Sequence, residues 1–156
     1  MSDPKVVLDS SIFVEAWTLG EHTDVCSSFI RKYMNDRRMI CYIPIIVPGE
    51  VIKNILLKIK DTDRLTNILR EYKNSFLNNN IHFIDINKKV LKIKEKLDEI
   101  RVQEHDKFIL ACSIACGCTT LITLDEDMYE EKEQIAIISK QINGRRIRIR
   151  NPKFKN

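Results

Sequence analysis

Short apolar runs alternate with helix-forming segments along the whole chain, and this alternation restricts the fold more than any other feature of the sequence. The first run, Lys-Val-Val-Leu at residues 5–8, is rich in β-branched residues and ends at Asp9. Further strands are predicted at residues 39–43, 81–86, 119–124 and 146–150. Strands that alternate with helices pair in parallel and have helices on both faces. We therefore predict a three-layer α/β/α fold around a central, mainly parallel sheet of about five strands.

The segments between these runs have the apolar spacing of helices. Apolar residues over positions 90–100 recur at steps of three and four, which predicts an amphipathic helix. A later segment, which Asp106 opens and Gly117 closes, is apolar nearly all round and predicts a buried central helix. The chain has 156 residues and no repeat or linker, so we expect one domain over residues 1–156, with a basic strand and tail at 145–156.

Four acids occupy positions from which side chains can reach the carboxyl edge of a parallel sheet. Asp9 and Asp125 directly follow predicted strands, and Glu50 and Asp106 each lie in the first turn of a predicted helix. Ligands of open parallel sheets bind beyond the carboxyl ends of the strands, where these four carboxylates could converge. Clustered acids without cations repel one another and attract a hard divalent cation such as Mg²⁺ or Mn²⁺. The alternative is that each acid only caps a helix or a turn.

Composition excludes several classes of protein. With 44% hydrophobic residues and four each of Gly and Pro, the chain resembles neither collagen nor a disordered tail. No apolar stretch approaches the roughly 18 residues needed to cross a bilayer, and the first residues lack a signal-peptide pattern. The five cysteines are an odd number, and three lie in or beside an apolar segment, where thiols act as small hydrophobes in a reducing compartment. We expect a cytoplasmic protein without a membrane partner.

The charge is uneven, because the carboxyl-terminal end is basic and the rest is mildly acidic. The net charge is +4, yet all seven charged residues from Lys140 onward are positive. Four of them, Arg145, Arg146, Arg148 and Arg150, lie on or beside the last predicted strand. A basic end on an acidic body predicts a polyanionic partner, and these arginines are candidates for contacts with a nucleic-acid backbone. The alternative is an edge strand that charge protects from aggregation.

The order of these motifs resembles that of PIN-domain nucleases essentially from end to end. The family pattern has a hydrophobic strand ending in Asp and small polar residues, an acid in a middle helix, an Asp that opens a helix ending at Gly, and a Thr-x-Asp-x-Asp strand end. The matching residues are Asp9-Ser10-Ser11, Glu50, Asp106 with Gly117, and the segment 123–127. Each piece alone is weak, but their order and spacing together are fairly specific.

The resemblance, carried across residue by residue, implies a metal site formed by acids. The implied ligands, direct or through water, are Asp9, Glu50, Asp106, Asp125 and Asp127. The first four would also be the catalytic residues, and Asp127 matches an acid that binds a second ion in relatives. Ser11 and Thr123 match supporting positions, of which Thr123 would orient the strand end by hydrogen bonding. The implied cofactor is Mg²⁺ or Mn²⁺.

The implied activity is that of a metal-dependent endoribonuclease, which hydrolyses single-stranded or structured RNA. The four arginines would help to bind the RNA backbone. The resemblance covers toxins of toxin–antitoxin pairs and RNA processing or quality-control nucleases, so a cognate antitoxin and a second copy of the chain are candidate partners. Trp17, Phe29 and Tyr33 then belong either to a dimer interface or to the core. Two other classes stay open: a non-catalytic RNA- or protein-binding module with a PIN-like fold, and a haloacid-dehalogenase-like phosphatase, which needs an acid where Ser11 stands.

Overall fold

Five parallel strands form one sheet in the computed structural model, which describes residues 4–77 and 80–154. The strands are β1 (Lys5–Leu8), β2 (Ile40–Pro44), β3 (Ile81–Ile84), β4 (Thr120–Ile122) and β5 (Arg148–Arg150). The helices of the described ranges are α1 (Ser10–Trp17), α2 (Thr23–Asn35), α3 (Val47–Lys58), α4 (Thr62–Phe76), α5 (Lys88–Lys96), α6 (Glu104–Ala115), α7 (Glu126–Glu130) and α8 (Lys132–Asn143). The predicted α/β/α fold with a five-stranded sheet is confirmed, and every strand pair is parallel.

β1 lies in the middle of the sheet because its sequence is apolar on both faces. Its last three residues are buried, as expected for a strand with a helix layer on each side. β3 lies at an edge, where its first and last residues are buried and the two between them are exposed. The strand order β3-β2-β1-β4-β5 thus places a strand with two apolar faces where helices cover both faces.

The direction in which the sheet grows reverses at β1. The chain first builds outward from β1 through β2 to β3, and it then returns to place β4 on the other side of β1, with β5 beyond it. In parallel sheets such a switch point opens a crevice between the carboxyl ends of the two strands. Here the residues after β1 and β4 include Asp9, the N-cap of α1, and Asp125, the N-cap of α7.

Two predicted helix boundaries are wrong by a few residues. The helix predicted over 90–100 ends as α5 at Lys96, and two tight backbone hydrogen bonds, Leu97 N to Lys94 O and Ile100 N to Leu97 O, continue the chain as turns. Leu97 and Ile100 remain buried, so the apolar spacing marked core positions beyond the helix. α6 begins at Glu104 rather than at Asp106.

Other sequence predictions concern the core and the basic tail. Gly117, which was predicted to close α6, lies just beyond this helix with a φ of +71°, the left-handed conformation that glycine favours at a helix end. Phe29 and Tyr33 are buried and stacked with ring centroids 5.6 Å apart, so they belong to the core rather than to an exposed interface. Trp17 packs partly buried against the same core. Residues 155–156 of the tail lie outside the described ranges. No helix within those ranges combines the length and apolarity of a membrane span.

Candidate functional site

Asp9 is buried and held by hydrogen bonds from three sides. The backbone N–H of Ser10 donates to Oδ1 at 2.8 Å, and the hydroxyls of Ser11 and Thr123 donate to Oδ2 at 2.9 and 2.7 Å. The Ser11 hydroxyl also accepts the backbone N–H of Leu124 at 3.0 Å, which ties the end of β1 to the segment after β4. The Asp9 carboxylate therefore has a fixed position at the switch point of the sheet.

Asp125 both caps a helix and faces the acidic crevice. Its Oδ1 accepts the backbone N–H of Met128 at 3.0 Å, and its own backbone N–H donates to Thr123 Oγ1 at 3.0 Å. The same carboxyl is hydrogen-bonded with that of Asp106. Capping and clustering, which the sequence left as alternatives, thus occur together at this residue.

Glu50 and Asp106 enter the crevice from α3 and α6. Glu50 Oε2 lies 3.4 Å from the Ser10 hydroxyl, and that hydroxyl lies equally far from Asp9 Oδ1, so its one proton cannot satisfy both carboxylates. His105 Nε2 lies 3.3 Å from Asp106 Oδ1 and 3.8 Å from Glu50 Oε2. The other oxygens, Glu50 Oε1 and Asp106 Oδ2, are buried without a hydrogen-bond donor in the described parts of the chain.

Burial and mutual repulsion raise the pKa of three acids in this cluster. Burial raises the pKa of Asp106 to about 8, helped by the charge of Asp9, by a hydrogen bond from the Asp106 carboxyl to Asp125, and by the charges of Asp125 and Glu50. Burial, followed by the charge of Asp9, also raises the pKa of Glu50. Burial raises the pKa of Asp9 against the opposing effect of its hydroxyl donors. Asp9, Asp125 and Glu50 thus surround Asp106 with negative charge, which disfavours its ionised form.

The chemistry of this cluster suits a hard divalent cation. Two buried carboxylate oxygens lack donors in the described chain, and the side-chain donors near the acids are hydroxyls and one imidazole rather than a lysine or arginine. Among residues 4–77 and 80–154, no three His, Cys, Asp or Glu side chains already form a coordination group. Asp9 instead accepts hydrogen bonds, and burial together with the neighbouring negative charges raises the pKa of Asp106 to about 8. Oxygen-only ligands at such a cluster favour Mg²⁺ or Mn²⁺.

A cleft of about 560 Å³ opens on the cluster between α1 and α3. Ser10, Ser11, Glu50 and His105 line its inner end. His105 also lines a second cavity of about 690 Å³ on the other side of α3. Glu50 is therefore reached from solvent along both sides of α3, whereas Asp9 and Asp106 lie buried behind it.

Other residues predicted for the site lie apart from the four acids. Asp127 is exposed in the first turn of α7. Arg145 donates to the carbonyl of Gly117 at 3.3 Å, and Arg146 pairs with Glu133, so both lie toward the edge of the sheet opposite the acids. Arg148 is exposed on β5. Arg150 lies over the Phe29 ring at 4.8 Å.

Ser10 and His105 also contact the acids, although neither was predicted as a site residue. Ser10 lies within hydrogen-bond distance of two acids because it starts α1 directly after Asp9. His105 precedes Asp106 in the first turn of α6 and is half exposed. In the sequence, the feature that could have indicated Ser10 and His105 is that each is adjacent to one of the predicted acids. That signal does not reveal Glu50, which lies 40 residues away from Ser10 in the chain.

Solved structures with the same fold support this architecture. VapBC2 from Rickettsia felis, solved with a DNA fragment from their promoter, has a TM-score of 0.61 and 19% identity, over 94% of this chain and 98% of that chain. FitAcB from Neisseria gonorrhoeae has a TM-score of 0.65 and 13% identity, over 96% and 99%. FitAB bound to an IR36 DNA fragment has a TM-score of 0.60 and 11% identity, over 97% of each chain.

Sequence comparison identifies the family. No curated protein sequence matches the chain. The PIN domain pattern matches residues 6–133, which is most of the chain and includes Asp9, Glu50, Asp106 and Asp125. The phosphatase alternative is thereby excluded. The chain belongs to the PIN domain family, whose members are nucleases.

Proposed function

We propose that this protein is an endoribonuclease that hydrolyses RNA phosphodiester bonds with Mg²⁺ or Mn²⁺. One observation carries the proposal. Four carboxylates from separate segments of the chain act on one another in one crevice, and two of their buried oxygens lack a donor in the described chain. Membership of a nuclease family supports the reaction class, and the oxygen-only donor set supports the choice of cation.

Asp9, Glu50, Asp106 and Asp125 would hold the cation, and the exposed Asp127, two residues after Asp125, is our candidate for a second ion. A bound divalent cation supplies activation of the attacking water and stabilisation of the charge that develops on the scissile phosphate. The chain itself fixes the geometry, because Ser11 and Thr123 hold Asp9 in place. Asp106 must release its proton before it can act as a ligand, so cation binding and proton release are linked.

The protein groups around the acids also favour a phosphate. α1 begins at Ser10, directly after Asp9, so the positive amino-terminal end of this helix lies beside the acids. His105 lies at the solvent side of Asp106 and Glu50 and can donate to a substrate oxygen. No side chain needs to form a covalent bond with the substrate, because the attacking group is water.

The same reasoning extends to a partner protein. We propose that the chain is the toxin of a toxin–antitoxin pair, because the similar structures include VapBC2 and FitAB, both solved with DNA. An antitoxin that occupies the cleft would block access to the acids. A gene for a small DNA-binding protein directly upstream, whose product co-purifies with this chain and inhibits cleavage, would support this. A chain that is active and purifies alone would favour a processing or quality-control nuclease.

Cleavage of a mixed single-stranded RNA in Mg²⁺, Mn²⁺ and EDTA tests the proposed activity. DNA of the same sequence tests the preference for RNA. Cleavage should require the cation and should disappear in Asp106→Asn. Asp61→Asn, which alters the exposed N-cap of α4, is the matched control and should behave as the parent. Undiminished activity in EDTA would refute metal dependence. RNA binding without cleavage in every cation would favour the non-catalytic alternative.

A further inference from the structure

The helix α3 carries a polar stripe that leads outward from the acids. Glu50, Asn54 and Lys58 are four residues apart, so they lie on one face of the helix, and all three line the cleft of about 560 Å³. Asn54 Nδ2 donates to the carbonyl oxygen of Glu50 at 2.8 Å. At a rise of about 1.5 Å per residue, Lys58 lies about 12 Å along the helix from Glu50. The stripe thus begins with an acid at the crevice and ends with a cation.

Lys153 lines the same cleft from the segment that follows β5. The fully buried Asn151 fixes this segment, because its Oδ1 accepts the backbone N–H of Lys153 at 2.9 Å and its carbonyl accepts that of Phe154 at 3.0 Å. The Lys153 ammonium lies 3.4 Å from Glu126 Oε1. This ion pair is weak because both side chains are partly exposed to solvent. The backbone is therefore held, and the ammonium can exchange its partner for a phosphate.

Three acids, Glu15, Glu21 and Glu50, line the cleft with the two lysines, and none of them forms an ion pair with either lysine. Glu15 Oε1 accepts the backbone N–H of His22 at 2.9 Å, and the Glu15 carboxylate fills the space that a Cβ at Gly20 would need. Its charge is therefore directed at the loop after α1. Lys58 has no ion pair with another described residue. Both ammonium groups are thus available to a polyanion that enters the cleft.

We propose that this cleft binds the single-stranded RNA segment beside the scissile phosphate, with Lys58 and Lys153 each contacting a backbone phosphate. The inference rests on the proposed function and adds two positioning residues to it. The four arginines predicted from the sequence do not line this cleft in the described chain, whereas Lys153 from the same basic tail does. Lys58 also favours the carboxyl-terminal end of α3 electrostatically, but that structural role predicts no dependence of RNA affinity on it.

The salt dependence of RNA binding distinguishes a phosphate contact from a purely structural role of these lysines. Affinity of a 12-nucleotide single-stranded RNA is measured by fluorescence anisotropy in an Asp125→Asn background, which is expected not to cleave the probe. Lys58→Gln with Lys153→Gln should raise Kd about tenfold at low salt and reduce the slope of log K against log salt by about 1.4, two contacts at 0.7 each. Lys60→Gln with Lys140→Gln removes the same charge from exposed lysines that donate to backbone carbonyls and is the control.

Each outcome decides the inference. An equal loss of slope in both pairs, or no loss in the first, would overturn it and would leave the nuclease proposal intact if Asp125-containing protein still cleaves RNA. In that active background the Lys58 and Lys153 changes should raise KM with little change in kcat. A fall in kcat alone would also overturn a positioning role. A protein that neither binds nor cleaves RNA would refute the proposed function itself.

Discussion

Replacing Asp106 by Asn should change how stability depends on pH in metal-free buffer. Burial among acids raises the pKa of Asp106 from an ordinary 3.8 to about 8 in the folded protein. Between these values the native state holds a proton that the unfolded chain has released, so raising the pH lowers the free energy of unfolding. The contribution is complete at pH values below 3.8 and is lost as the pH rises through the folded pKa.

The expected size follows from the same linkage. Within this window each pH unit is about 1.4 kcal/mol, so Asp106 alone should lower the free energy of unfolding by about 2.5 kcal/mol between pH 5 and pH 7. For a chain of this length, that corresponds to a fall of about 1 to 2 M in the urea midpoint. Asn cannot titrate, so the Asp106→Asn variant should lack this fall and should be the more stable protein at pH 7.

Urea unfolding in EDTA at pH 5, 6, 7 and 8 measures the difference. Asp61→Asn, with its change at an exposed N-cap away from the crevice, should keep the slope of the parent. Excess Mn²⁺ at pH 7 should reverse the ranking, because ligand at a hundred times its Kd adds about 2.7 kcal/mol to a protein that binds it. Parallel pH profiles of parent and Asp106→Asn would refute the claim that the acids repel one another.

Three further substitutions test other parts of the site. Asp125→Asn should keep the α7 cap and the fold by circular dichroism, but RNA cleavage should fall by at least about 100-fold, because an amide is a poor ligand for a hard cation. Thr123→Val removes the donor to Asp9 and the acceptor of the Asp125 N–H, and should cost about 1–3 kcal/mol in urea unfolding and also lower kcat. Arg145→Gln with Arg146→Gln, at the opposite edge, should weaken binding only of RNA long enough to wrap around the sheet, measured with 12- and 40-nucleotide probes.

Each of these has a contradicting result. Near-normal turnover by folded Asp125→Asn would remove it from the catalytic set. Thr123→Val with parental stability and kcat would mean that its hydrogen bonds do not position Asp9. A loss of affinity for the short probe in the double arginine variant would place these arginines on the path of the RNA near the acids.

The strands could be predicted because each is a short apolar run between polar segments. β1 lies at the centre since Val6, Val7 and Leu8 leave no polar face, and this pattern can be recognised without a structure. The end of α5 could not be predicted in the same way. Leu97 and Ile100 continue the helical spacing and are buried, yet both lie in tight turns after the helix. A pattern of buried positions alone does not distinguish a helix from such turns.

The acids were found by their positions at strand ends and in first helical turns, which depend only on local sequence. Their mutual contacts depend on topology, because β1 and β4 are neighbours although more than 100 residues separate them. No sequence motif marks the cleft residues Asn54 and Lys58. Their proposed role depends on the face of α3 that lines the cleft beside α1, which only the fold shows. The basic tail was visible as composition, but only the fold separates Lys153 from Arg145.

Direct binding of Mn²⁺ at pH 7, measured by the loss of its free-ion electron paramagnetic resonance signal, tests most directly whether the four acids form a cation site. The parent and the Asp61→Asn control should remove at least one Mn²⁺ per chain from solution. Asp106→Asn, folded and more stable in EDTA, should bind much more weakly, and excess Mg²⁺ should release the ion from the parent. Equal Mn²⁺ binding by the parent and Asp106→Asn, or none by either, would contradict the account.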